Sequence, residues 1–170
     1  GTPDDKCGPL MDEVITPLYE AFAALQEARN TRQPLDLDLP ERKVVLSDEG
    51  KVTSVNFADR LDAHKLIEDM MVLANVAAAE TLIAKKSPLL FRVHEEPPPE
   101  KLDTLREVAE AAGLTLAKGQ VLKTSHLNQL LHGAAGTDHV EVINLATLRS
   151  MTQAYYAPSN FGHFGLALQS

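Results

Sequence analysis

No tryptophan occurs among the 170 residues, and aromatics reach only 5%. That shortage weighs against a surface that stacks successive bases, which needs exposed rings. Cysteine is nearly absent as well: Cys7 stands alone. An internal disulfide and a cysteine-rich metal centre are therefore excluded, in keeping with a reducing, cytoplasmic setting. No apolar run reaches the roughly 18 residues of a membrane span. The amino end, GTPDDKCGPL, has no apolar core of the kind a secretion signal needs. Positive charge is scarce too. Lys and Arg number 16 against 24 Asp and Glu, a net charge of -8. A free-standing nucleic-acid binder needs the reverse, because its basic groups neutralise phosphates. Repeats and low-complexity tracts are missing.

What remains is typical of a globular protein: 44% hydrophobic and 24% charged residues, in a chain long enough for one domain with a sizeable core. Residues 1–10 are rich in Pro and Gly and read as a poorly ordered lead-in. Over residues 11–32, Val14, Leu18, Phe22 and Leu25 recur at helical spacing, which predicts a helix packed by one face. Pro17 should start or kink it. Residues 34–41 alternate apolar and acidic and read as extended, ending at Pro40. Val44–Leu46 and Val52–Phe57 then form a hairpin around Asp48-Glu49-Gly50, with Gly50 free to take positive φ.

The longest stretch without Gly or Pro runs from Arg60 to Lys86. At about 100° per residue, Leu66, Ile67, Met70, Leu73, Ala74 and Ala77 share an apolar arc expected to pack the core. Asp62, Lys65, Asp69 and Glu80 form a charged arc for water. His64, Glu68 and Asn75 make a polar stripe between Met71 and Val72, suited either to solvent or to a groove. Asp59 or Asp62 is the expected cap, and Ser87-Pro88 the stop.

Residues 89–95 alternate into a short strand. Pro98 and Pro99 lead a helix whose C′ residue is Gly113. Thr124 or Ser125 should cap a short helix through Leu131, closed by Gly133, and Val140–Tyr156 reads as the last helix. An extended segment over 161–170 follows. The predicted class is α+β, helix-dominated, with a β-hairpin and short strands.

Composition and spacing point to no active site. His64 and Glu68, four apart, have no third metal ligand, so a hydrogen bond on the helix surface is the expected relation between them. Ser125 and His126 are adjacent and do not face each other on a helix. Asp36 and Asp38 share one side of an extended segment and read as a solvated edge rather than a Mg²⁺ site. Gly162-His163-Phe164-Gly165 lacks the spacing of a phosphate loop, and its glycines suit a close backbone approach.

Two collinear motifs carry a resemblance. Asp62-Ala63-His64-Lys65-Leu66-Ile67-Glu68-Asp69-Met70-Met71, continuing through Leu73-Ala74-Asn75, resembles the D-A-H-K-L-I-E-E-x-M-x-L-A-N signature of the RNase II/RNase R exoribonucleases. Leu148-Arg149-Ser150-Met151-Thr152-Gln153-Ala154, followed by Gly162-His163-Phe164-Gly165-Leu166-Ala167-Leu168, resembles their L-R-S-M-x-Q-A … G-H-F-G-L-A-L segment. The detail is closer to ribonuclease R than to RNase II. The resemblance implies a processive 3′→5′ exoribonuclease that hydrolyses single-stranded RNA to nucleoside monophosphates. In that family the RNB domain holds Mg²⁺ on clustered aspartates in a narrow channel, and flanking cold-shock and S1 domains feed the RNA in.

The resemblance also implies what these residues do and do not supply. The aspartate cluster falls upstream and the S-P-I-R segment, with its catalytic arginine, downstream. Residues 11–170 are then a partial RNB domain, expected to hold no metal, to be inactive alone and to bind RNA weakly. A non-catalytic RNB-like scaffold or regulatory interaction protein is the alternative. Glu68 matches the glutamate that contacts RNA near the 3′ terminus. Asp62, His64 and Asn75 belong to the same signature and border the channel, and His163 is a further RNA-binding candidate. Leu37 stands where the family often has a stacking Phe. An exposed apolar patch is expected near the last helix and residues 161–168, open to self-association.

Overall fold

The computed structural model describes residues 4–37, 39, 41–58 and 60–169. The chain divides into two compact units, Gly1–Arg32 with Arg60–Leu89, and Gln33–Asp59 with Leu90–Ser170.

In the first unit a 3₁₀ turn, Gly8–Leu10, and a π-helical turn, Met11–Ile15, lead into helix α1, Thr16–Arg32. The expected helix over 11–32 is thus wound in two ways, and Pro17 is the physical reason. It has no N–H to give and its ring crowds the carbonyl four residues back. The wider turn before it, where the Thr16 N–H reaches Met11 O, relieves the misfit. The predicted stripe is buried only in part. Phe22 is buried, with Tyr19 edge-on to its ring, whereas Val14 and Leu18 are exposed.

Helix α2, Asp62–Ala84, fills most of the expected 60–86 stretch. Asp62 does not cap it. Leu61 is the N-cap and Asp62 the first helical residue, while Asp59 lies outside the described residues. The stop is as expected: Lys86 takes φ 51°, the Ser87 N–H donates to Leu82 O at 2.9 Å, and Pro88 follows. The packed face is not the one expected. Leu66 is buried, but Ile67 and Leu73 of the apolar arc are exposed, and Asp69, assigned to water, is only 7% exposed. The helix is turned roughly a quarter-turn about its axis, because Asp69 meets Gln26 and Arg29 on α1.

In the second unit, strands β1, Arg42–Leu46, and β2, Val52–Phe57, pair antiparallel around a turn in which Gly50 has φ 76°. A bulge at Val45/Leu46 shifts their register, and Val44, Val55 and Phe57 stay exposed. Pro40 and Asp38 lie outside the described residues, so the solvated-edge reading holds only for Asp36, which is exposed; its backbone N–H donates to Asn128 Oδ1. Strand β3, Phe91–Val93, pairs antiparallel with β4, Tyr155–Ala157.

Helices α3, Pro99–Ala111, α4, Thr124–Ala134, and α5, Val140–Ser150, build the core of this unit. Leu105, Leu127, Ala134 and Ile143 lie at its centre, and Leu37 packs against it. Thr124 and Ser125 do not cap α4. Lys123 is the N-cap, His126 Nδ1 accepts its N–H, and the Thr124 hydroxyl instead donates to Gln33 O. Gly133 lies inside the helix rather than closing it, and Gly136, with φ 74°, follows. The last helix ends at Ser150, short of Tyr156. Tyr155 and Tyr156 are strand-prone, and β3 offers them a partner. Instead of a plain extended segment, Phe164–Leu166 form a 3₁₀ turn with Ala167 at φ 51°. Val142, Leu145 and Leu148 on α5 and Phe161 are exposed, as the expected apolar patch requires.

Candidate nucleic-acid interface

The start of α2 is organised by His64. Its Nδ1 accepts the Leu61 N–H at 3.1 Å, which satisfies one of the free amides that every helix start leaves. An amide N–H can only donate, so Nδ1 is unprotonated and the ring proton of the neutral form sits on Nε2. One turn on, the Glu68 carboxylate is held by two arginines. Arg60 Nη2 donates to Oε2 at 2.7 Å, and Arg29 Nη1 stands 3.6 Å from Oε1. The expected His64–Glu68 contact is replaced by these partners. Asp62 pairs with Lys65 at 3.3 Å on the exposed surface. Asn75 is exposed on the same face, about 10 Å further along the axis at 1.5 Å per residue. His64 and Asn75 therefore face water, and Glu68 between them is partly covered by its two arginines.

Beneath Glu68 lies a pair that periodicity does not reveal. Asp69 is buried, its Oδ1 accepting from Arg29 Nη1 at 3.0 Å and its Oδ2 from Gln26 Nε2. A buried carboxylate must be paired in this way to remain charged. One signal for Arg29 was present. It continues the spacing of Leu18, Phe22 and Leu25, so a cation stands on the stripe read as apolar.

His163 belongs to the second unit, and its ring lies 5.0 Å from that of His94. His94 Nδ1 accepts the Gly165 N–H and Nε2 faces Thr152 O, each at 3.0 Å. A carbonyl only accepts, so the His94 proton is on Nε2. His163 Nδ1 accepts from the Leu166 N–H at 3.3 Å. Burial, then the neighbouring His94, holds the His163 pKa below the ordinary histidine value. The two glycines act as expected. Gly162 takes φ 79°, and a Cβ on Gly165 would stand 2.9 Å from His94 Nδ1. His94 itself was not singled out from the sequence, because its role is set by a contact across about seventy positions.

Among the described residues no three His, Cys, Asp or Glu side chains stand together as a metal would need. Among the described residues, too, no helix is long and apolar enough to cross a membrane.

The RNB domain family model matches residues 1–170. Ribonuclease R of Escherichia coli is 38% identical over 153 residues, covering 90% of this chain and 19% of that protein. Ribonuclease R of Aquifex aeolicus is 32% identical over 165 residues, covering 97% of the chain and 23% of that protein. The chain thus spans about a fifth of the length of these curated relatives. Among solved structures, the apo form of Mycoplasma genitalium RNase R superposes with a TM-score of 0.85 at 24% identity, over 98% of this chain and 26% of that one. The same protein in complex with ribose-methylated single-stranded RNA gives 0.84, at 24% identity and the same coverage. At that identity the likeness establishes the fold.

Proposed function

Since the chain belongs to the RNB domain family, we propose that it is a segment of a cytoplasmic, ribonuclease R-type 3′→5′ exoribonuclease that hydrolyses single-stranded RNA to nucleoside 5′-monophosphates. The observation that carries this reading is the match over the whole chain, with ribonuclease R as the relative in each case described. The exposed stripe on α2 supports it. Glu68 is the RNA contact, and Asp62, His64 and Asn75 border the path of the strand. A carboxylate only accepts hydrogen bonds, so its partners on RNA are sugar hydroxyls and base amino groups. His163 is a further candidate in the second unit. Mg²⁺ belongs to the enzyme as a whole and not to these residues. The 170 residues alone are inactive and bind RNA weakly. Their exposed apolar residues on α5 favour self-association, which sedimentation would detect.

The test is to incubate the full-length protein carrying this segment with 5′-labelled single-stranded RNA and Mg²⁺. Progressive shortening from the 3′ end with release of 5′-monophosphates is the expected result. Binding without hydrolysis would overturn it in favour of a non-catalytic scaffold, and internal cleavage would overturn it outright.

A further inference from the structure

We infer that Arg29, anchored by buried Asp69, is a positioning residue that aims the Glu68 carboxylate at RNA. The inference rests on the reading above, in which Glu68 contacts RNA. Three observations lead to it. One guanidinium nitrogen, Arg29 Nη1, serves both carboxylates, 3.0 Å from Asp69 Oδ1 and 3.6 Å from Glu68 Oε1. Asp69 cannot swing away, because Gln26 holds its second oxygen and only 7% of the side chain is exposed. Arg29 is itself mostly buried, at 17%.

The two arginines on Glu68 therefore differ in kind. Arg60 is half-exposed, and an ion pair at such a site is weak and exchanges with solvent or ligand. Arg29 is fixed from below by a partner on the other helix. Neighbouring residues on a helix point about 100° apart, so Glu68 and Asp69 would diverge without a shared cation. A side chain with three rotatable bonds loses much freedom when ordered. Arg29 holds Glu68 ordered before RNA arrives, while Oε2, paired with the half-exposed Arg60, remains open to exchange.

The bland alternative is that Arg29 merely neutralises Asp69. The two roles separate in steady-state kinetics of the full-length enzyme on single-stranded RNA. Glu68→Ala should raise KM about ten- to hundredfold, the range of a charge-assisted hydrogen bond. Arg29→Met alone would strand Asp69, so the informative variant is Arg29→Met/Asp69→Leu, since apolar replacement of a buried pair is tolerated. It should melt close to the parent yet raise KM by a similar factor. Adding Glu68→Ala to it should then change KM no further. Arg29→Lys should recover only part, lacking the planar fork. A parental KM in Arg29→Met/Asp69→Leu, or a further full-size effect when Glu68→Ala is added, would overturn the positioning role and leave the Glu68 reading intact. A parental KM in Glu68→Ala would overturn both.

Discussion

Replacing Gly165 by Ala should unsettle the second unit, and the effect can be worked from contacts. The new methyl carbon would stand 2.9 Å from His94 Nδ1 and 3.1 Å from Cε1, so one side must give. His94 is only 9% exposed. Its Nε2 is tied to Thr152 O, and its ring packs edge-on against His163 and Phe164. The backbone has little slack either. Gly165 O accepts the Leu35 N–H at 2.9 Å and His94 O accepts the Phe164 N–H at 2.7 Å. If the ring swings out, two hydrogen bonds of about 1 kcal/mol each are lost. If the backbone shifts, overpacking costs about 1–3 kcal/mol. Either route destabilises by about 1–3 kcal/mol, which lowers Tm by about 2–12 °C in a protein of this size. Because the chain has two units, melting should be read beside hydrogen exchange at the Leu35 and Phe164 amides, which should lose protection. Adding His94→Ala removes the clash, so Gly165→Ala/His94→Ala should be less destabilised than the sum of the single changes. An unchanged Tm with protection retained at both amides would refute the close-approach argument.

Three further outcomes follow from the same structure. Leu127, fully buried at the centre of the helical core, should lose about 2–5 kcal/mol as Leu127→Ala, read by denaturant melting. His163 has its pKa lowered by burial and by His94, so the unfolded chain binds the proton more readily. Stability is then full above the ordinary histidine value of about 6.5 and is lost as pH falls through the lower folded value. His163→Gln should flatten that dependence in melts from pH 7 downward. Arg60→Gln in the full-length protein should weaken RNA binding and flatten its salt dependence, checked by titration at several ionic strengths.

The elements legible in the sequence were those written in local chemistry. The hairpin followed from Gly50, α3 from Pro98, Pro99 and Gly113, and the end of α2 from Ser87-Pro88, since each fixes its own backbone whatever packs around it. What escaped was set by partners distant in sequence. The packed face of α2 could not be read from periodicity, because a charged residue, Asp69, outranks Ile67 and Leu73 for burial once Arg29 and Gln26 are supplied from about forty residues away. α5 stops at Ser150 because β3 recruits Tyr155–Ala157, and β3 itself is only three residues long. The two helix starts capped by histidine, His64 for Leu61 and His126 for Lys123, escaped because cap reading looks for Ser, Thr, Asp or Asn. An imidazole nitrogen at the third helical position meets the same orphan amide. The polar stripe itself was legible, since it depends only on the helical repeat.

The acidic balance of the chain and the RNA contact proposed for Glu68 look incompatible until the charges are counted locally. A lone carboxylate about 6 Å from a phosphate repels it by about 3 kcal/mol at an effective dielectric of about 20. Glu68 is not alone. With Asp69, Arg29 and Arg60 it forms a cluster of two anions and two cations linked by contacts of 2.7–3.6 Å, neutral as a whole. Of the four, Arg60 is the most exposed, while the buried Asp69 is already matched by Arg29. The net charge of -8 is therefore a poor guide to this patch. On the proposed reading, a Glu68 oxygen released by Arg60 accepts from RNA donors, and the two arginines offset the repulsion that a lone carboxylate would exert on the strand.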